Sequence, residues 1–314
     1  MRIMLFLLTN VAIIALISIG FQVLGVEGLL HQNGVDLDLV SLLVYSSVIG
    51  FAGSFISLLL SKFMAKRSMG VRVIETPVNE TEQWLVDKVR RQAGMAGIDM
   101  PEVGIFDHES PNAFATGWRK NAALVAVSTG LMQYMNKEEV EGVLAHEVSH
   151  VANGDMVTLA LVQGVVNTFV IFLSRVIGFL VDRLVFKVQR GHGPAFWIVS
   201  IVAQMVLGLL ASMIVMWFSR WREFRADEGG AKLSSRRKMI AALERLRDGP
   251  DTEELPDEMA ALAIDGGRVQ ALFSTHPPLD KRIEALRGVN GISDSGIRRR
   301  SLGSVPNSGE GGGR

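Results

Sequence analysis

Four long stretches of this chain contain no acidic or basic residue, and they decide what it can fold into. Ile3–Leu24, Leu39–Ser61 and Ala195–Ser219 are uninterrupted, and Met156–Ser174 continues past Arg175 to Val181. A helix crossing the hydrocarbon layer of a bilayer needs about 20 such residues. The chain is therefore expected to be an α-helical integral membrane protein. Arg2 ahead of the first block also fits the start of a cleaved secretion signal. The block is long, however, lacks a clear small-x-small cleavage pattern near its end, and is followed at once by a second apolar block, so it reads as a span. Its outer loop, Val26–Asp38, holds Glu27, Asp36 and Asp38 with no Lys or Arg, whereas Lys62, Lys66, Arg67 and Arg72 follow the second block. The positive-inside rule then puts the first loop outside, and both termini and the segment after Ser61 in the cytoplasm.

The third and fourth blocks interrupt a set of residues that carry chemistry. His146, Glu147 and His150 spell HEVSH inside a predicted helix. Asn136 caps that helix and Glu139 completes a capping box, Val140, Val143, Leu144, Val148 and Val151 form its apolar face, and Gly154 ends it. Residues four apart share a helical face, so the two imidazoles can reach one zinc ion and Glu147 can reach a water on it. Structural zinc sites are usually cysteine-rich, and this chain has no cysteine. A catalytic site needs a third protein ligand. Glu223 and Asp227, four apart in the segment WREFRAD, offer one carboxylate for the metal and another to fix the tautomer of a ligating imidazole. A solvated face of Glu, Arg and Asp pairs is the alternative. If His150 and Glu223 meet at one metal, the chain must leave after Asp155 and return by Arg220 on the same side, which a paired helical hairpin achieves. Arg175, Arg183, Lys187 and Arg190 sit badly outside the cytoplasm, so the hairpin is either partly inserted or oriented by the preceding spans.

The soluble part reads as mixed α and β. Asn79 caps a helix through Ala96, with Glu82 three positions on; Val103–Phe106 is a short strand. Asn112–Gly117 and Ala122–Ser128, around a polar turn at Trp118–Asn121, predict a hairpin. Asn112, Ala113, Phe114, Ala115 and Thr116 are the candidate edge strand on which an extended substrate would add a strand, an interior strand being the alternative. His108 reads as a surface histidine. The fourth block is expected to continue as a helix through Asp227 to Leu233, followed by helices at Ser235–Arg247 and Pro278–Arg287 and a polar loop at Asp248–Asp257. The balance of 32 basic and 32 acidic residues gives no case for nucleic acid as a partner.

HEVSH, EFRAD at 223–227 and the stretch Ser274–Pro278 (STHPP), with NAFATG upstream and four apolar blocks in this order, closely resemble the HtpX family of bacterial membrane zinc endopeptidases, a relative of the type I CAAX prenyl proteases. The likeness runs from Met1 to about Arg287. It implies a zincin-like metalloprotease domain, α+β but mainly helical, carrying a small β-sheet. It implies one zinc ion per chain held by His146, His150 and Glu223, with Glu147 as general base. Asp227 is implied as a support of the ligands, and His276 as a support of the site or of the transition state, a structural role at a helix start being its alternative. The implied function is hydrolysis of misfolded or damaged membrane proteins at the cytoplasmic face of the inner membrane, in quality control and stress response, in company with an ATP-dependent membrane protease. Prenyl-protein processing and a non-proteolytic zinc-stabilised scaffold are the alternatives. The expected organisation is two transmembrane helices in 1–65, the N-terminal part of the catalytic domain in 66–155, a helical hairpin that is transmembrane or partly inserted in 156–219, the C-terminal part in 220–288, and a Gly-, Ser- and Arg-rich disordered tail in 289–314.

Overall fold

The computed structural model describes Ile19 and residues 37–188, 191–249 and 276–294. Apart from Ile19, the first apolar block lies outside the described residues, as do 250–257 of the predicted polar loop and 295–314 of the tail. The elements are α1 (Leu39–Ser68), β1 (Arg72–Val73), α2 (Glu80–Ala96), β2 (Glu102–Phe106), β3 (Ala113–Thr116), a 3-10 turn (Lys120–Ala122), β4 (Leu124–Ser128), α3 (Thr129–Tyr134), α4 (Lys137–Asn153), α5 (Asp155–Leu184), α6 (Pro194–Leu233), α7 (Arg236–Arg247) and α8 (Leu279–Asp294). Helix α8 carries on past the predicted end at Arg287, so residues 289–294, read as tail from their composition, are helical.

Helices α1, α5 and α6 are each long and apolar enough to cross a membrane. At 1.5 Å per residue, the 30-residue α1 and α5 are about 45 Å long and the 40-residue α6 about 60 Å. Small residues let α1 and α5 approach closely. A Cβ on Gly50 would sit 2.7 Å from the Thr168 backbone nitrogen, Phe51 lies over Gly164, and Ser54 Oγ donates to the Ala160 carbonyl. Toward the other end Leu39 and Leu43 pack on Phe172, and Leu37 on Phe179 and Phe196. The tip of the α5–α6 hairpin is therefore level with the start of α1.

The soluble layer is a four-stranded sheet in the order β1-β2-β4-β3. Strands β2 and β4 are parallel; β1–β2 and the β3–β4 hairpin are antiparallel. Successive side chains of a strand point to opposite faces. On β4, Val125 and Val127 join the core made with α2 and α4, among Leu85, Val89, Leu144 and Val148. Leu124 and Ala126 face Phe106, Phe114 and Val71 instead. With both faces covered, every residue of β4 is buried. Asn79 caps α2 as predicted, but Glu82 accepts the Val78 N–H rather than that of Asn79, and it also pairs with Arg72 on β1.

Candidate metal centre

Helix α4, which carries His146 and His150, is fixed at both ends. Asn136 accepts the N–H groups of Glu138 and Glu139, and the Glu139 carboxylate accepts the Asn136 N–H at 2.9 Å, the reciprocal box that the sequence predicts. Gly154 closes the helix in the left-handed conformation at φ 70°, and α5 starts at the next residue. Val140, Leu144, Val148 and Val151 bury one face of α4 in the core. The other face meets α6, which can come close because positions 229 and 230 are glycine. A Cβ on Gly229 would collide with Ser149 Oγ, and one on Gly230 would lie 3.1 Å from the His146 nitrogen.

This crossing brings His146, His150 and Glu223 together, a group that can hold a metal ion. The Nε2 atoms of the two histidines are 3.1 Å apart, His146 Nε2 is 3.3 Å from Glu223 Oε2, and His150 Nε2 is 3.3 Å from Glu223 Oε1. Tetrahedral N and O donors at 2.0–2.1 Å from zinc stand about 3.3 Å from one another. The three donors therefore fit one face of such a tetrahedron. Their chemistry fits as well. His150 Nδ1 meets Asp155 Oδ2 at 2.6 Å, and His146 Nδ1 meets Asp227 Oδ1 at 3.0 Å. With each Nδ1 hydrogen donated to a carboxylate, both Nε2 lone pairs face inward, toward each other, and call for a cation between them. Burial by itself pushes the His150 pKa down, but the hydrogen bonds to Asp155 and Glu223 prevail, and it is pushed up to about 10.

Outer partners fix the acids in turn. Arg282, on α8 and nearly fully buried, grips Asp227 with a fork, Nε to Oδ2 at 2.8 Å and Nη2 to Oδ1 at 2.6 Å. Its Nη1 lies 3.3 Å from Glu223 Oε2. His276 Nδ1 approaches the same Glu223 oxygen at 2.7 Å from a half-exposed position. Arg222 Nη1 donates to the Asp155 carbonyl at 2.9 Å and Nη2 to Ser219 Oγ at 3.0 Å. Glu147 is partly buried beside His146 and, among the described residues, has no hydrogen bond or ion pair of its own.

The model of peptidase family M48 matches residues 79–290, a span containing α4, the Glu223 turn of α6 and the Arg282 helix. The chain belongs to peptidase family M48. It is 70% identical over 286 residues to protease HtpX of Pseudoalteromonas atlantica, a match covering 91% of this chain and 99% of that relative. It is 63% identical over 291 residues to protease HtpX of Thioalkalivibrio sulfidiphilus, covering 92% and 99%. The crystal structure of S. mikatae Ste24p has the same fold, with a TM-score of 0.57 at 18% identity, over 90% of this chain and 66% of that one. As an M48 peptidase with HtpX proteases for relatives, the chain is a membrane metalloprotease that uses zinc and acts on protein substrates.

Of the residues singled out in the sequence, His146, His150, Glu223, Asp227 and His276 converge on one point, with Glu147 beside them. Ser274 and Thr275 lie outside the described residues. Residues 113–116 form the edge strand β3, packed on α4, with Asn112 just ahead of it accepting the Ser128 N–H at 2.8 Å. His108 is exposed and bonds to Ser110 and Thr129 instead. Asp155, Arg222 and Arg282 were not singled out by sequence reasoning. For Asp155 a signal existed: an acid directly after the Gly154 cap is turned back onto the helix that carries His150. Arg282 gave no such signal, because its role depends on how α8 docks.

Proposed function

We propose that this chain is a zinc endopeptidase that cleaves unfolded or damaged membrane proteins at the cytoplasmic face of a bacterial inner membrane, with His146, His150 and Glu223 as ligands and Glu147 as general base. One observation carries the substrate reading. Helix α6 runs unbroken from the fourth apolar block into the site, and Glu223 stands about 6 Å along the axis beyond Ser219. A reaction centre built onto the end of a membrane helix serves peptide bonds close to the bilayer surface.

When bound, zinc supplies a Lewis acid and acidifies water at the site. Glu147, with no competing partner among the described residues, takes the proton of the attacking water and delivers it to the leaving amine. Asp155 and Asp227 hold the imidazoles in the ligating tautomer, and Arg282 and His276 orient Asp227 and Glu223. Strand β3, at the sheet edge and against α4, receives the substrate as an added strand through residues 112–116. The cytoplasmic orientation is supported by the basic residues after Ser61, and cooperation with an ATP-dependent membrane protease by the family resemblance alone.

The test uses protein purified in detergent without metal. Adding zinc should start digestion of an unfolded protein. Glu147→Gln should bind the metal equally well and digest nothing, whereas His146→Ala should lose both. A Glu147 variant that still digests protein refutes the role given to that carboxylate. Cleavage of a farnesylated peptide but not of the unfolded protein refutes the substrate reading.

A further inference from the structure

The turn between β3 and β4 is not part of the metal centre, yet the fold aims it at the bilayer. Lys62 follows directly on the apolar run ending at Ser61, and with Lys66 it grips Glu102, the first residue of β2, at 2.7 and 2.5 Å. Beyond Ser68 the chain enters β1, where Arg72 pairs with Ile105. Passing from Glu102 to Ile105 along β2 therefore follows the same direction as passing from Lys62 beyond Ser68 along α1, away from the apolar run. The Glu102 end of the sheet is its membrane end. The register places Leu124 beside Glu102 and Thr116 beside Leu124. Thr116 is the last residue of β3 and Leu124 the first of β4, so residues 117–123 extend past that end toward the bilayer.

The composition of this turn is unusual for a solvent loop. Trp118 is 41% exposed, and the Arg119 guanidinium stacks on its ring at 4.3 Å. Arg119, Lys120 and Asn121 are all exposed. The turn is stiff: Gly117 has φ +144°, and a Cβ there would meet the Ala122 carbonyl oxygen at 2.7 Å. Asn121 Oδ1 accepts the Asp99 N–H at 3.5 Å, and Met100 beside it is a second large apolar side chain, 41% exposed. A tryptophan and a methionine presented with an arginine and a lysine match the headgroup layer, where amphipathic rings and basic side chains concentrate.

We propose that Trp118, Arg119 and Lys120 form an anchor in the headgroup layer, taking anionic phospholipid, and that this anchor holds the β3 edge at a fixed height over the bilayer. The proposal rests on the membrane placement of α1 and not on the assignment of the metal ligands or of Glu147.

The chain has no cysteine, so Trp118→Cys introduces a unique thiol for an environment-sensitive fluorophore. The full-length protein is placed in nanodiscs of phosphatidylethanolamine with phosphatidylglycerol, or of phosphatidylcholine alone, each with or without a headgroup-nitroxide lipid. Val78→Cys, on an 80% exposed residue in the loop after β1, is the control. At 118 the emission should be blue-shifted and quenched several-fold more strongly than at 78. Arg119→Glu with Lys120→Glu should weaken quenching in the anionic discs. Emission at 118 as water-like as at 78 in every bilayer overturns the anchor, and so does emission that changes only when an unfolded polypeptide is added, which would mark a substrate surface. Quenching indifferent to both lipid charge and the double reversal overturns the anionic-lipid assignment.

Discussion

At the scale of single residues, the centre depends on acids that keep two imidazole nitrogens pointed at one another. Asp155 holds His150 at 2.6 Å and Asp227 holds His146 at 3.0 Å. Replacing Asp155 by Asn substitutes a neutral amide for the carboxylate and leaves the Nδ1–H less firmly held. Outer partners of this kind are worth about 10–100-fold in metal affinity, so Asp155→Asn should weaken zinc binding by that order in competition with a fluorescent chelator, while thermal stability falls little. Arg282→Lys should act similarly through Asp227, because an ammonium keeps the charge but cannot reproduce a two-point fork. Affinity unchanged in both variants would mean that the ligands hold their geometry without outer support. The cluster of candidate ligands and their support was legible in the sequence because it obeys local rules: His146 with His150, and Glu223 with Asp227, stand four apart on single helices. Arg282 was illegible because nothing local to it marks a buried guanidinium. Its partner lies 55 positions away, on a helix that meets it only once α8 has docked.

At the scale of elements, α4 is pinned on two sides. Glu141 on α4 binds Lys88 of α2 at 2.7 Å and Lys238 of α7 at 3.0 Å, and it is largely buried. Burial raises its pKa, but the two lysines outweigh burial and hold it below its ordinary value of 4.5. Because the folded value is the lower one, the stabilisation is complete above about 4.5 and is lost as the pH falls through the folded value. Glu141→Gln should therefore cost about 1 kcal/mol near neutral pH, and the difference from the parent should close in acid; chemical denaturation at several pH values measures it. A difference that persists undiminished in acid would assign the effect to packing. Gly142 is a second contact with α7, where a Cβ would lie 2.7 Å from the Lys238 carbonyl oxygen. Gly142→Ala must push α7 away, at about 1–3 kcal/mol. The capping box of α4, the β3–β4 hairpin and the long α6 were readable from caps, alternation and apolar length. The placement of β1 on the far side of β2, away from β4, was not, since a two-residue strand carries no pattern of its own.

At the scale of the whole molecule, the open question left by the sequence was whether the 156–219 hairpin crosses the bilayer or only dips into it. The packing of α1 against α5 bears on this directly. From Ser54 beside Ala160, through Gly50 beside Thr168, to Leu37 beside Phe179, the two helices run antiparallel in step. If α1 spans, so does α5, and its length of about 45 Å exceeds the roughly 30 Å of hydrocarbon. Two of the cations that argued against a tip on the outer side, Arg175 and Arg183, have local partners. Arg175 lies over the Phe196 and Trp197 rings at 5.6 and 5.3 Å, and Arg183 lies over Phe179 while donating to the Val188 and Gly191 carbonyls. Charges engaged in this way are less costly to deliver across the membrane than free ones, which lets the earlier spans set the orientation. The expected outcome is specific. In intact cells a membrane-impermeant maleimide should label Phe186→Cys, at an exposed position of the tip, without permeabilisation, and Val78→Cys only after it. Labelling of both positions only after permeabilisation would make the hairpin re-entrant, and would then require α1 to stop short of the outer surface as well.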